Sequence, residues 1–354
     1  MNIIISAAKT GGHVFPAIEV AKEFASKKCN IFFIGTGSKI EINALEGLSF
    51  NYIPLKIDGF RGKSTLNKIF SLKDTVFNIF KVYFLIKRNN IKCIITFGGF
   101  VTVPVGLAGW LARTKIFTHE QNSVMGSANK LLSKFATINF LAFPVTGNVS
   151  RSLISGNPIR TSFNINKVQE NKRDTNKIKI YITGGSQGAK YFNETFPKSF
   201  EDVEDLVQIK HQCGNGNFNE VQNLYSKTNI DFSVSEFCKD PSLEIQWADF
   251  VISRSGALTI SEVSSLSKGM LMIPLPSSID NHQYLNAKHI LDIKMGVIHQ
   301  EADGIDKLNE IIKNIINQKT YLNWQKQTNT SHKNATKFIP VSYTHLTLPT
   351  ILLV

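Results

Sequence analysis

Residues 2–24 read NIIISAAKTGGHVFPAIEVAKEF, and this stretch decides the fold. An apolar, β-branched run comes first, a turn with two glycines and a histidine follows, and a helical pattern ends the stretch. The composition predicts a buried strand and a helix from about Pro16 to Lys27, because proline is tolerated in the first turn of a helix. A strand that leads through a glycine turn into a helix is half of a βαβ unit.

The same pattern recurs along the chain. Strand-like runs follow in NIFFIGTG, IKCIITFGG, TKIFTHEQN and ATINFLAF, and a helix is predicted over Val105–Arg113. The polar stretch Thr161–Lys177 reads as a linker, after which IKIYITGGSQGAKYFNETF and DFVISRSGALTISEV restart the alternation. The fold class is therefore α/β, with two Rossmann-like, doubly wound parallel-sheet domains at residues 1–160 and 161–340. Ligands of such sheets bind at the carboxyl ends of strands, which predicts a site facing a cleft between the domains.

Composition limits the functional classes. The 354 residues suit two domains, and the net charge of +13 favours an anionic partner such as nucleic acid, anionic lipid or a phosphorylated substrate. The four cysteines, Cys29, Cys93, Cys213 and Cys238, form no CxxC pair and read as reduced thiols, and no secretory signal is expected.

One stretch, Cys93–Ala112, has no charge over 20 residues and is long enough to cross a bilayer. The β-branched residues at its start, the Gly98-Gly99 break and Pro104 instead predict a buried strand, a glycine turn and a helix.

The glycine turns are the strongest candidates for ligand binding. TGGHVFPA and TGGSQGAK each place backbone N–H groups between a strand and a helix, a geometry that holds phosphate. Neither meets the dinucleotide fingerprint or the P-loop pattern, and close strand–helix packing alone explains a single such turn equally well. FGGFVTVP and SRSGALTISE add two more turns, which makes packing alone a weaker explanation.

Several polar residues follow predicted strands. His13 could act as a general base, although a capping or surface role is the common one for a lone histidine. The HEQN cluster, residues 119–122, is costly to bury without partners and is expected to meet a ligand or the cleft.

Four further residues suit phosphate or sugar groups. Arg160 could face a phosphate or form a linker salt bridge. Glu262 could accept ribose hydroxyls or simply favour a helix start. Gln283 and Asn286 in DNHQYLNA are amides suited to sugar hydroxyls.

Together these motifs form an ordered set: TGGHVFPA, FGGFVTVP, HEQN, GNPIR, TGGSQGA, SRSGALTISE and DNHQYLNA. The set resembles the MurG family, the N-acetylglucosaminyltransferases of glycosyltransferase family 28 that complete lipid II in bacterial cell-wall synthesis. The resemblance runs from about Asn2 to Asn286 and more loosely to Phe338.

The resemblance implies the GT-B fold and inverting transfer of GlcNAc from UDP-GlcNAc to the C4 hydroxyl of MurNAc in undecaprenyl-diphosphate-MurNAc-pentapeptide, lipid I. It implies that Cys238 lies near the uracil, that Glu262 accepts the ribose hydroxyls and that Gln283 contacts GlcNAc. The residues implied to hold the diphosphate are Arg160, Ser186 and the helix start Ala257, Leu258, Thr259, Ile260 and Ser261.

In the first domain the resemblance implies that Thr10, Gly11, Gly12 and Asn122 face the sugar and the reaction centre. His13 becomes the candidate base, with His119 and Glu120 as rivals. No cofactor and no catalytic metal are implied, because the sequence has no DxD pair.

Residues 61–92 hold eight basic residues against one acid, interleaved with phenylalanines, which suits a helix on an anionic bilayer or a core helix with a basic face. The resemblance favours the bilayer and implies peripheral attachment to the cytoplasmic face of the inner membrane. Other cell-wall synthesis proteins are candidate partners, whereas no motif suits nucleic acid.

Three features depart from the family pattern. Ala8-Lys9 stands where the family usually has a glycine pair, and Phe100 where it often has tyrosine. Residues 341–354 read as a non-native tail, and Pro340 and Pro349 are expected to break the closing helix that the family packs on its first domain.

Two other readings stay open. One is another GT-B enzyme, such as a glycolipid glycosyltransferase or a UDP-GlcNAc 2-epimerase. The other is a non-catalytic UDP-sugar-binding, membrane-recruiting subunit.

Overall fold

The computed structural model describes residues 1–8, 10–57, 65–163 and 177–347; no side chains are described for 65–70 and 343–347. Lys9, Pro349 and most of the predicted linker lie outside the described residues. The chain forms two compact units, the first from Met1–Arg160 with Ser331–Val354 and the second from Thr161–Thr330.

The first unit contains a parallel sheet of seven strands in the order β3-β2-β1-β4-β5-β6-β7. Its strands are β1 (Asn2–Ser6), β2 (Asn30–Gly35), β3 (Asn51–Pro54), β4 (Ile91–Thr96), β5 (Lys115–Glu120), β6 (Ile138–Leu141) and β7 (Ser152–Ile154). Its first five helices are α1 (Gly11–Ser26), α2 (Lys39–Leu45), α3 (Thr65–Arg88), α4 (Thr102–Leu111) and α5 (Ser127–Leu132).

Both faces of this sheet are covered by apolar side chains, as a parallel sheet requires. Along β1, Ile3 and Ile5 pack into one cluster with α1, while Ile4 packs into the opposite cluster with α3 and α4. Successive side chains of a strand point to opposite faces, so an unbroken isoleucine run suits a central strand.

Helix α1 begins at Gly11, five residues before the predicted start at Pro16. Thr10 is extended and ends the turn, and Pro16 then lies inside the helix, where its missing N–H removes one backbone hydrogen bond. Burial of Val14, Pro16 and Ala17 offsets that loss.

The second unit contains a parallel sheet of six strands in the order β10-β9-β8-β11-β12-β13. Its strands are β8 (Ile178–Thr183), β9 (Val207–Gln212), β10 (Asp231–Ser235), β11 (Phe250–Ser253), β12 (Gly269–Met272) and β13 (Gly296–Ile298). Its helices are α6 (Lys190–Thr195), α7 (Phe218–Tyr225), α8 (Pro241–Trp247), α9 (Ala257–Ser265), α10 (His282–Asp292), α11 (Ile305–Asn317) and α12 (Thr320–Gln325).

Each sheet reverses its strand order between two central neighbours, β1 and β4 in the first and β8 and β11 in the second. The four glycine turns noted in the sequence follow these four strands. Ligands of open α/β sheets bind at such reversal points, outside the carboxyl ends of the strands. The fold therefore collects the glycine turns at the expected binding edge of each sheet.

The last helix, α13 (Ser331–Thr347), belongs to the first unit, whereas the sequence predicts that the second domain extends to residue 340. Ile339 is buried in the α1 cluster, and the Phe338 ring meets Phe140 edge-on at 6.3 Å between centroids. The helix also continues through Pro340, so the expected break there is wrong. Burial of Ile339 and of Pro340 itself offsets the lost hydrogen bond.

The uncharged stretch Cys93–Ala112 forms most of β4, a turn and α4, as predicted. Within the described parts of the chain, no helix combines the length and the hydropathy that crossing a membrane requires.

Candidate active site

The first glycine turn places His13 at the carboxyl end of β1. Its Nδ1 lies 3.3 Å from the Ala8 carbonyl oxygen and 3.1 Å from Thr10 Oγ1. A carbonyl oxygen only accepts, so this contact favours a proton on Nδ1 of the neutral ring. The Nε2 atom then carries the lone pair and can accept a proton.

The turn after β4 leaves room for the His13 imidazole because two of its residues are glycines. Gly98 has a φ of +91°, and a Cβ added there would lie 3.2 Å from His13 Nε2. Gly99 has a φ of +84°, and its added Cβ would lie 2.8 Å from the Ala8 methyl group. Ala8, one half of the altered glycine pair, is therefore buried against a glycine of the neighbouring turn.

His119 is fully buried and held at both ring nitrogens. Its Nε2 lies 3.0 Å from the Gly156 carbonyl oxygen, to which it donates, and its Nδ1 accepts from Gln121 Nε2 at 3.0 Å. Burial lowers the pKa of His119 to about 4, against an opposing effect of the Gly156 hydrogen bond. A neutral ring with both nitrogens engaged is poorly placed to take a proton from a substrate.

Glu120 is buried and organises the loop after β5. Its two oxygens accept from the Asn122 backbone N–H at 3.1 Å, the Gly126 backbone N–H at 2.9 Å and Asn129 Nδ2 at 2.9 Å. Asn122 Nδ2 adds a longer contact of 3.3 Å. These donors compensate the burial of the carboxylate and fix Asn122, which is half-buried.

The expectation that the whole HEQN cluster meets a ligand is thus wrong for its first three residues. His119, Glu120 and Gln121 are at most 2% exposed and bond to protein groups. Because β5 is an inner strand, its last side chains are enclosed by the neighbouring turns, and Asn122 is the first residue beyond it.

In the second unit, the turn after β8 brings two backbone segments into contact. Gly188 has a φ of +73°, and an added Cβ would overlap the carbonyl group of Cys213. Gly214 likewise faces the carbonyl group of Gln187. Side chains at these positions would force the segments apart. Gly185 N–H donates to Thr183 Oγ1 at 3.1 Å and closes the turn.

This turn lines a cavity of about 890 Å³ that is contained within the second unit. The other walls come from the start of α9, the segment after β12, the start of α10 and the segment after β13. The polar and charged side chains in its lining are Thr183, Ser186, Gln187, Lys190, Tyr191, Glu194, Arg254, Thr259, Ser277, Gln283 and Glu301.

Three of the residues implied by the family resemblance line this cavity: Ser186, Thr259 and Gln283. Gln283 Oε1 accepts from the Leu275 backbone N–H at 3.0 Å, which leaves its amide nitrogen as the group available to a ligand. Glu262 is buried one turn after Thr259 on the same side of α9.

Other implied residues lie elsewhere. Ile260 and Ser261 are fully buried, and Ser261 Oγ donates to the Ala257 carbonyl oxygen at 2.7 Å, so the helical period turns both away from the cavity. Ala257 and Leu258 lie in the first turn of α9, between the lining residues Gly256 and Thr259, and do not line the cavity themselves. Arg160 is half-buried at the end of the first unit.

Cys238 is half-buried beyond β10, between two residues that line a second cavity of about 570 Å³. Burial raises the pKa of its thiol, with a further contribution from Glu244. Among the described residues, no group of three His, Cys, Asp or Glu side chains could hold a metal ion.

The residues predicted from the sequence do not include Arg254, the less exposed of the two cations in the cavity wall. It precedes the glycine of SRSGALTISE, and a charged residue inside a glycine turn was the available signal. Tyr191 and Glu194, directly after TGGSQGAK, also line the cavity, and so does Glu301, which follows no motif that would identify it.

Two family models match this chain: the glycosyltransferase family 28 N-terminal domain over residues 3–140 and its C-terminal domain over 179–340. The chain is 34% identical over 345 residues to the UDP-N-acetylglucosamine–N-acetylmuramyl-(pentapeptide) pyrophosphoryl-undecaprenol N-acetylglucosamine transferase of Buchnera aphidicola subsp. Baizongia pistaciae, which covers 96% of this chain and 97% of the relative. The protein of the same name from Wigglesworthia glossinidia brevipalpis is 34% identical over 346 residues, with 96% and 95% covered.

Among solved structures, MurG of Acinetobacter baumannii is similar with a TM-score of 0.85 and 29% identity, covering 97% of this chain and 99% of that one. The chain belongs to the MurG family. The predictions of family and of GT-B fold class are confirmed, and so is the assignment to the glycosyltransferases. The roles of individual residues in this MurG-family chain stay predictions.

Buried His119 makes a prediction about stability and pH. Histidine in an unfolded chain has a pKa near 6.5, whereas folded His119 has a pKa of about 4. Between these pH values the unfolded chain binds a proton at His119 and the folded chain does not. Stability should therefore be complete above about pH 6.5 and fall as the pH drops, by about 1.4 kcal/mol per pH unit for this residue.

Urea unfolding at pH 7.5 and 5.5 tests this. The wild type should lose about 1 kcal/mol more stability on acidification than His119→Gln does. His282→Gln, which alters a histidine near the surface, should match the wild type. Equal losses for the wild type and His119→Gln would show that His119 is not held neutral by burial.

Proposed function

We propose that this chain transfers GlcNAc from UDP-GlcNAc to the C4 hydroxyl of MurNAc in undecaprenyl-diphosphate-MurNAc-pentapeptide, converting lipid I to lipid II in peptidoglycan synthesis. Identity of 34% over 96% of the chain to transferases named for this reaction supports the choice of substrates. The observation that carries the proposal is the cavity of the second unit, whose walls combine a glycine turn, a helix start and an arginine with a side chain that is only 13% exposed.

The donor diphosphate would lie against the Gly184–Gly188 turn and the start of α9. Backbone N–H groups of glycine turns and of the first turn of a helix favour phosphate oxygens. Arg254 adds a permanent positive charge in the same wall. Thr259 and Ser186 offer hydroxyl groups, and Gln283 offers its amide nitrogen to the GlcNAc hydroxyls.

The nucleoside would extend from this cavity towards β10. The uracil would lie beside Cys238, between Phe237 and Lys239 in the lining of the smaller cavity. Glu262, one turn beyond Thr259 on α9, would accept the ribose hydroxyls. Both assignments come from the MurG family resemblance and agree with the burial of these residues.

Transfer with inversion needs one base and no covalent intermediate. The O4 atom of MurNAc would attack the anomeric carbon of GlcNAc as the bond to the β-phosphate breaks and UDP leaves with the electron pair. We assign the acceptor proton to His13 Nε2, since the Ala8 carbonyl group orients the ring and both rival groups are engaged within the protein. The charge that develops on UDP would be met by backbone N–H groups and Arg254.

We further propose that α3 attaches the protein to the cytoplasmic face of the membrane that carries lipid I. Phe77, Phe80 and Phe84 lie on one side of α3 and are 70%, 56% and 65% exposed. The opposite side is buried through Asn78, Val82 and other residues, which fixes the orientation of the helix. An exposed apolar row of this size is unusual on a soluble surface.

Basic residues accompany the phenylalanine row. Lys73, Lys81, Lys87 and Arg88 are exposed on the same helix. Trp110 and Leu111, at the end of the neighbouring helix α4, add further exposed apolar area. Aromatic side chains with flanking lysines suit the interface of an anionic bilayer.

The transfer reaction tests the enzyme and its base together. Radiolabelled GlcNAc should pass from UDP-GlcNAc, and not from UDP-GalNAc, to a soluble short-chain lipid I analogue. His13→Ala should lower kcat by about 10²- to 10⁴-fold, because general-base catalysis is lost, while the affinity for UDP stays unchanged. Added imidazole should restore part of the rate.

Each part of this result can fail separately. A His13→Ala rate within about tenfold of wild type would move the base elsewhere. A folded wild type that binds UDP-GlcNAc without transferring it would indicate the non-catalytic sugar-nucleotide-binding subunit.

Vesicle sedimentation tests the membrane proposal. Replacing Phe77, Phe80 and Phe84 together by serine should weaken binding to phosphatidylglycerol-containing vesicles by more than about tenfold, because three apolar anchors are lost. Added salt should weaken the wild type as well. Serine at Leu206 and Leu291, exposed residues of the second unit, is the matched control and should have little effect. Equal binding by both variants would contradict the assignment of this surface.

A further inference from the structure

The cavity of the second unit contains an ion pair whose acidic partner has no role in the proposed chemistry. Arg254 Nη1 pairs with Glu301 Oε1, and both side chains are largely buried. Glu301 begins the short 3₁₀ helix Glu301–Asp303 after β13, so the two partners come from different strand ends of the sheet. The other charged pair in the lining, Lys190 with Glu194 at 3.5 Å, is exposed and therefore weak.

Arg254 keeps its position through contacts that do not involve Glu301. Its Nη1 donates to the Ile273 carbonyl oxygen at 3.2 Å, and its guanidinium group lies 4.7 Å from the centre of the Phe192 ring. Cation–π and hydrogen-bond contacts of this kind fix a planar guanidinium group. Removing the Glu301 carboxylate should leave Arg254 in place.

The Glu301 carboxylate, in contrast, is held mainly by the charge of Arg254. Its backbone is fixed separately, because Gln300 N–H donates to Asp303 Oδ2 at 3.2 Å in a capping box. The side chain can therefore leave Arg254 without unfolding its segment. A guanidinium group keeps its charge at all relevant pH values, so a buried arginine needs an anion in the empty cavity as well as in the filled one.

We propose that Glu301 is the resident counter-ion of Arg254 and competes with the diphosphate of the nucleotide for it. This inference rests on the proposed binding of UDP-GlcNAc in this cavity. When the donor enters, a phosphate group replaces the carboxylate at Arg254. After transfer, Glu301 returns to Arg254 as UDP leaves, which lowers the affinity for the product and speeds its release.

The test compares UDP binding by the wild type and Glu301→Gln. Glutamine keeps the shape of the side chain and removes the competing charge. The variant should bind UDP about fivefold more tightly by isothermal titration calorimetry and release it more slowly in stopped-flow experiments. Glu310→Gln, which removes one negative charge from the exposed side of α11, controls for net charge and should match the wild type.

Arg254→Gln separates this inference from the proposed function. If UDP binds in this cavity, Arg254→Gln should weaken binding by about tenfold or more, and Glu301→Gln should have little further effect in that background. A wild type that does not bind UDP, or an Arg254→Gln variant that binds it unchanged, would overturn the assignment of the cavity and the inference with it.

A different result would contradict only the competition between Glu301 and the diphosphate and leave UDP binding in this cavity intact. If Arg254→Gln weakens binding while Glu301→Gln binds UDP with unchanged or lower affinity, Glu301 does not compete for the arginine. Thermal unfolding of each variant shows whether a lowered affinity reflects a damaged fold.

Discussion

The close approach of backbone segments at the ends of the central strands is the constraint on which this structure depends. In the first unit Gly99 meets the Ala8 methyl group, and in the second Gly188 meets the Cys213 carbonyl group. Both glycines have positive φ values, which residues with a side chain rarely adopt. Because the turns are this tight, they bring main-chain groups close together at the strand ends of each unit.

Buried polar groups stabilise the loop that follows the inner strand β5. Glu120 receives backbone and side-chain donors from the loop that follows β5, and Asn129 bridges its carboxylate and the His119 carbonyl group. An unpartnered carboxylate at this depth would be strongly destabilising. Hydrogen bonds within the protein engage both the His119 ring and the Glu120 carboxylate, which supports the proposal of His13 as the base.

Much of the fold could be predicted from the sequence, because apolar β-branched runs and glycine turns are local signals. The burial of the polar cluster at residues 119–122 is harder to predict, because it depends on which strands flank β5 in the sheet. Arg254 and Glu301 lie 47 positions apart, and only the order of the second sheet brings them together. The continuation of α13 through Pro340 depends on the tertiary packing of Ile339. Local helix propensity carries no information about such packing.

The central claim is that the glycine turn and Arg254 of the second unit hold the nucleotide diphosphate. Titration of UDP into nitrogen-15-labelled protein, followed by amide and arginine side-chain resonances, tests it most directly. The account predicts that the largest shifts occur at Gly184, Gly185, Gly188 and the Arg254 side chain, and that uridine alone leaves these signals nearly unchanged. Shifts confined to other parts of the chain, or identical shifts with uridine, would contradict it.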